Sequence, residues 1–182
     1  MLNLARTPDH PDDSLHDYRG NCGDNRYEDR PDGRLEALVA AFTAAEYIVD
    51  APEAAIVIRV GEKNPGLDRL LGERPWAVIT AHNPDGRACS AESNSAAQRV
   101  LEQDLRRSRP STLLPVCNRD PAGNWPDEPA WLFTPRTIEQ ADRLAQRFGQ
   151  RAILAGFPGA AAQLRIYGAS HDAPGTAPGT AP

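Results

Sequence analysis

Residues 76–94 read WAVITAHNPDGRACSAESN, and this stretch decides the fold. Trp76 to Thr80 is nearly all apolar and reads as a core strand. Asn83-Pro84-Asp85-Gly86 is a turn signal. Ser90 is a good N-cap for a helix running to about Ser108, and Glu92 in its first turn suits the helix dipole. Ala97, Val100, Leu101 and Leu105 recur on one face of that helix. A strand therefore runs through a polar turn into a helix. Ligands tend to bind at such junctions, where the free N–H groups and the positive helix end attract anions.

The same reading extends outward. Leu35, Leu38, Val39 and Phe42 have helical spacing. Tyr47–Val49 is a short strand, and Ala55–Val60 is rich in β-branched residues and reads as another. Leu67–Leu71 is a helical turn. Thr112–Cys117 is a strand in which Pro115 suggests an edge or an irregularity. A loop covers Asn118–Pro126, and a strand follows at Ala130–Phe133. Thr137 and Gln140 form a capping box for a helix with Ile138, Ala141, Leu144, Ala145 and Phe148 in one stripe, closed by Gly149. Arg151–Phe157 and Gln163–Tyr167 are the final strands. Helices alternating with strands predict an α/β (α+β) class. The expected architecture is a single domain with a mixed β-sheet of about five to seven strands, flanked by about three helices.

Residues 1–32 are rich in Asp, Arg, Asn, Pro and Gly and read as a flexible arm. The globular domain spans residues 33–168. Residues 169–182 end in PGTAPGTAP, a low-complexity tail expected to be disordered. A net charge of -5 argues against broad phosphate-backbone binding, so nucleic acid is not an expected partner. No apolar run approaches the roughly 20 residues of a membrane span, and the N-terminus lacks a signal-peptide core, so a cytoplasmic location is expected. Cys22, Cys89 and Cys117 are too few and too scattered for a disulfide framework or a zinc site. Arg106, Arg107 and Arg109 read as cations complementing a helix end.

Three segments carry the polar side chains from which a site could be made. At the strand-end turn, Thr80, His82, Asn83 and Asn94 gather. Asn94 falls on the inward face of its helix, where it either fastens the turn or meets a ligand. His82 is the single histidine of the domain and a natural acid/base near neutral pH. The second segment places Trp125 and Glu128 ahead of a strand. Asp127 and Glu128 must point opposite ways along an extended chain, and Glu128 is the one expected to face a site. The third places Gln150 and Arg151 where a helix passes into a strand. No clustered metal ligands, phosphate loop, nucleotide fingerprint or serine elbow occurs, so no metal and no cofactor is expected.

Thr80-Ala81-x-Asn83-Pro84, Asn94 on the next helix, Trp125-x-x-Glu128 before a strand and Phe148-Gly149-Gln150 before another resemble, in this order, the bacterial domain of unknown function 3293 family. The resemblance covers roughly Phe42 to Tyr167 and includes Tyr47. It implies a compact α/β domain and supplies no substrate or mechanism. Its third motif position is open and is filled here by His82. Read together, the residues point to a small polar-ligand-binding domain or enzyme with a cleft at the strand ends. Thr80, Asn83, Asn94, Trp125, Gln150 and Arg151 would contact the ligand, with His82 or Glu128 as acid/base. The alternative is a non-enzymatic protein-interaction or regulatory domain. Its oligomeric state is not legible in the sequence.

Overall fold

The computed structural model describes Cys22 and residues 31–168. The expected arm, except for Cys22, Pro31 and Asp32, and the expected tail from residue 169 lie outside the described residues. The elements are α1 (Pro31–Ala44), β1 (Glu46–Val49), β2 (Ile56–Ile58), α2 (Pro65–Leu71), β3 (Trp76–Ile79), a 3-10 turn (Pro84–Gly86), α3 (Ala91–Ser108), β4 (Leu113–Arg119), β5 (Glu128–Phe133), α4 (Ile138–Arg147), β6 (Ala152–Gly156) and β7 (Gln163–Ile166). The seven strands form one sheet in the order β2-β1-β4-β5-β3-β6-β7.

The α+β class and single sheet are as read from the sequence, but the strand directions differ. Every seam is antiparallel where a mixed sheet was expected. The reason is topological. Helix α3 links β3 to β4, which run parallel, but β5 lies between them. Helix α4 likewise links β5 to β6 across β3. Each helix crossover is split by an inserted antiparallel strand, so no parallel pair ever touches. From Trp76 to Gly156 this is the β-α-β-β-α-β arrangement of ferredoxin-like folds. Strands β1 and β2 extend it at one edge and β7 at the other.

Alternation along the strands gives the sheet two buried faces. On one, Ala77, Ile79, Phe133, Ile153 and Ala155 pack against Ala97, Leu101 and Leu105 of α3 and Ala141, Ala145 and Phe148 of α4. On the other, Val49, Val78, Val116, Leu132 and Leu154 pack with Leu67 and Leu71 of α2. Each large side chain so buried contributes about 1.5–3 kcal/mol. Strand β3 is interior to the sheet and all four of its residues are buried, which explains its unbroken apolar run.

Four local readings are corrected. Leu67–Leu71 belongs to a seven-residue helix, α2, capped by Asn64, whose Oδ1 accepts from Leu67 N at 3.0 Å. Pro115 lies in an interior strand. Its carbonyl accepts from Asp50 N at 2.9 Å, just past the end of β1, so the missing N–H falls where that ladder has stopped. Strand β4 continues to Arg119, which places Asn118 in the sheet and not in a loop. Gln140 Oε1 accepts from Arg136 N at 2.9 Å and not from Thr137, so the capping box is not closed.

Candidate functional site

Strand register builds the site. Tyr47 of β1 pairs with Asn118 of β4, which pairs with Glu128 of β5. Ile79 pairs with Trp131 and Trp76 with Gly156. Carrying those two registers past the end of β3 sets His82 beside Glu128 on one side and beside Gln150 on the other. Tyr47, Asn118 and Glu128 are thus paired across three strands, and His82 and Gln150, just beyond the paired segments of β3 and β6 and joined by a hydrogen bond from Gln150 Nε2 to His82 O, continue the same polar row. The next rows of the same face are apolar, with Val78, Leu132 and Leu154 among them. A cavity of about 260 Å³ opens over the row, roofed by Leu38 and Phe42 of α1.

Thr80, His82, Asn83, Trp125, Glu128, Gln150 and Arg151 all line this cavity. Asn94 does not. It lies behind the turn, only 8% exposed. Its Oδ1 accepts from Asn83 N at 2.9 Å, and its Nδ2 donates to Asn83 Oδ1 at 3.0 Å. Asn94 is therefore the fastener of the turn.

Asn83 is the hub. It adopts a left-handed conformation (φ 49°, ψ 56°), which asparagine tolerates better than most residues. Its Oδ1 accepts from Cys89 N at 3.1 Å, and its Nδ2 donates to Glu128 Oε1 at 2.7 Å. Thr80 Oγ1 donates to Pro129 O at 2.9 Å and accepts from His82 N at 3.1 Å. Gln150 Nε2 donates to His82 O at 3.1 Å and to Phe148 O at 3.2 Å. Asp85 N donates to Gly149 O at 2.7 Å. The three sequence segments are thus stitched together by their own backbones and amides.

The loop before β5 separates the adjacent acids as the extended chain requires. Asp127 turns outward to Arg119 (2.9 Å), whereas Glu128 faces the cavity. Asp120 Oδ1 accepts from Ala122 N at 2.9 Å and its Oδ2 from Asn124 N at 2.6 Å. That turn delivers Trp125 to the cavity rim.

Burial dominates the electrostatics. It pushes the Glu128 carboxyl above its usual range, and the hydrogen bond from Asn83 acts in the opposite direction. Burial first, and the Glu128 charge second, hold the Tyr47 phenol above its ordinary value. Burial lowers the His82 imidazole, which is neutral at pH 7. The cavity therefore holds a carboxyl and an imidazole whose uncharged forms are both favoured by burial. Among the described residues no three His, Cys, Asp or Glu side chains converge on a metal-sized position.

Tyr47, Asn118, Leu38 and Phe42 line the cavity but were not among the candidates drawn from the sequence. Tyr47 had a signal, since it falls within the family resemblance. Asn118 had none, because only strand pairing brings it beside Glu128. The reading of the three cysteines as too few and too scattered for a disulfide framework is corrected at Cys89, which is bonded to Cys22; Cys117 is the free cysteine.

Residues 79–153 match the family described as Protein of unknown function (DUF3293), the family that the four motifs resemble. The matched span runs from the last residue of β3 into β6 and contains Asn83, Asn94, Glu128 and Gln150. No curated protein and no solved structure matches the chain.

Proposed function

We propose, for a chain of the DUF3293 family, that the cavity over the polar row binds a small polar ligand. The observation that carries this reading is the convergence of Asn83, Glu128 and Gln150, from three separate segments, on one concavity. Amide and carboxyl groups over an apolar floor are the usual composition of a small-molecule site. If a reaction occurs there, Glu128 is the group that moves the proton, with His82 beside it in the row. Asn94 acts on the ligand only through Asn83.

A thermal-shift screen of nucleosides, nucleotides and amino-acid derivatives tests the reading, together with mass spectrometry of any molecule that co-purifies. The expected result is a raised melting temperature for a subset of compounds. That shift should disappear in Ala152→Phe, which fills the cavity. The reading fails if no compound shifts the protein, or if the shifts persist in the filled variant.

Leu70, Phe157 and Ile166 are large apolar side chains left exposed, and Ile166 lies on the edge strand β7. They support the second reading, an interaction domain whose edge strand pairs with a partner. Light scattering at rising concentration distinguishes it, because an edge-paired dimer would dissociate when Ile166 is changed to Lys. The cytoplasmic setting expected from the sequence is not carried into the proposal, because a Cys22–Cys89 disulfide is rare there. No helix among the described residues is long and apolar enough to cross a membrane.

A further inference from the structure

The remaining hydrogen-bonding capacity of the row defines the chemistry of its ligand, and the inference rests on the cavity being a ligand site. Gln150 uses both Nε2 protons on the carbonyls of His82 and Phe148, which leaves Oε1 as an acceptor. The Tyr47 hydroxyl donates to Phe42 O at 3.0 Å, so its oxygen is left to accept. Glu128 Oε1 is held by Asn83, and among the described residues no hydrogen bond engages Oε2. Asn118 Oδ1, between Tyr47 and Glu128 in the row, is buried without a partner. At the Glu128 end the row still offers oxygen acceptors, one of them on the sole carboxylate that lines the cavity among the described residues, whereas toward β6 Arg151 Nε is a buried donor left without a partner.

Aromatic rings border the same end, Tyr47 beside Asn118 and Trp125 three residues before Glu128. Val78 and Leu154 form an apolar floor. Arg151, the sole guanidinium of the lining among the described residues, stands toward β6, two strands from Glu128 and roughly 10 Å away by strand spacing.

We propose that the cavity receives a small organic cation, with an ammonium or amidinium head at Glu128 and an apolar body on the Val78–Leu154 floor. A head with several N–H donors satisfies several acceptors at once. Its charge offsets the carboxylate, and the aromatic rings add cation–π attraction.

The test is an isosteric series on the full chain: benzamidine, neutral benzamide and anionic benzoate, compared by isothermal titration calorimetry at pH 7.5. Benzamidine is expected to bind at least about tenfold more tightly than benzamide, with benzoate weaker still. Glu128→Gln should reduce benzamidine to the benzamide level while its circular dichroism melt shows an intact fold. Should that variant not fold, amide shifts in the natural protein decide, because benzamidine must move Tyr47, Asn118 and Gln150. Four results overturn the assignment: equal or tighter binding of benzamide or benzoate, undiminished benzamidine binding in Glu128→Gln, shifts confined to other regions, or no binding by any of the three. Each removes the cation head alone. Failure of the cavity itself is read separately, from the library screen and the cavity-filled variant.

Discussion

Asn83 Nδ2 donates a 2.7 Å hydrogen bond to Glu128 Oε1 and so ties the turn after β3 to the first residue of β5. The bond occupies one carboxylate oxygen and leaves the other turned to the cavity. Asn83 can hold this position because its own backbone and Oδ1 are bound from behind by Asn94. The path from helix α3 to the cavity therefore runs Asn94, Asn83, Glu128, and the order of that path sets the expected behaviour of each variant.

Asn94→Ala removes an acceptor for Asn83 N and a donor to Asn83 Oδ1 inside a buried turn. Leaving such groups unpaired costs about 1–3 kcal/mol. The melting temperature should fall by roughly 5 °C, and Asn94→Asp, which keeps the acceptor and loses the donor, should fall between the two. Thermal denaturation checks this. An Asn94→Ala protein that melts like the natural one would mean that the turn is held by other contacts.

Glu128→Gln should act on stability in a pH-dependent way. In the folded protein the carboxyl titrates above its ordinary 4.5, chiefly through burial. The folded state therefore keeps its proton longer than the unfolded state. The resulting stabilisation is present below the ordinary value and is lost as pH rises through the raised one. The facing groups are Tyr47, His82 and Arg151, which both proteins share, so their titration largely cancels in the difference. Glutamine carries no charge at any pH, so the variant should gain on the natural protein as pH rises from 4 to 8. A difference in melting temperature that is flat across this range would show that Glu128 is not penalised by burial.

The strands and the three longer helices were legible because their apolar spacing is local. So was the inward choice of Glu128 over Asp127, which follows from alternation alone. Strand order was not, since the insertion of β5 between β3 and β4 depends on contacts between distant segments. That is why the sheet is antiparallel where element order suggested a mixed one. Asn118 was missed for the same reason. Asn94 and Gln150 stood out as polar residues at element ends, but only the folded chain separates Asn94 behind the turn from Gln150 in the cavity. The Cys22–Cys89 pair joins a polar segment to a turn, and no spacing rule links them.

Gly156→Ala tests the packing of the sheet at its centre. Gly156 faces Trp76 across the β3–β6 seam, and a Cβ there would press on Cζ2, Cε2 and Nε1 of the indole, the farthest at 2.9 Å. Trp76 is 3% exposed and has little room to withdraw. Overpacking of this kind costs about 1–3 kcal/mol. The double variant Gly156→Ala with Trp76→Leu should recover part of the loss, and denaturant unfolding would measure the coupling. Purely additive losses would place the strain elsewhere.

The disulfide between Cys22 and Cys89 reaches the site directly, because Cys89 N donates to Asn83 Oδ1 and Cys89 O accepts from Asn94 Nδ2 at 3.4 Å. The bond spans 67 positions of the chain, and closing a loop of that length stabilises by about 4 kcal/mol in the chain-entropy account. Such a bond persists in an oxidising setting and is rare in the cytoplasm. Thiol titration of protein purified without reductant should find Cys117 alone reactive, once unfolded, among the three cysteines. Adding a dithiol reductant should then lower the melting temperature by roughly 10 °C or more. The effect should be matched by Cys22→Ser and should not appear with Cys117→Ser. Three reactive thiols before any reductant is added would show that the protein as isolated does not carry the bond, and that Asn83 and Asn94 hold the turn without it.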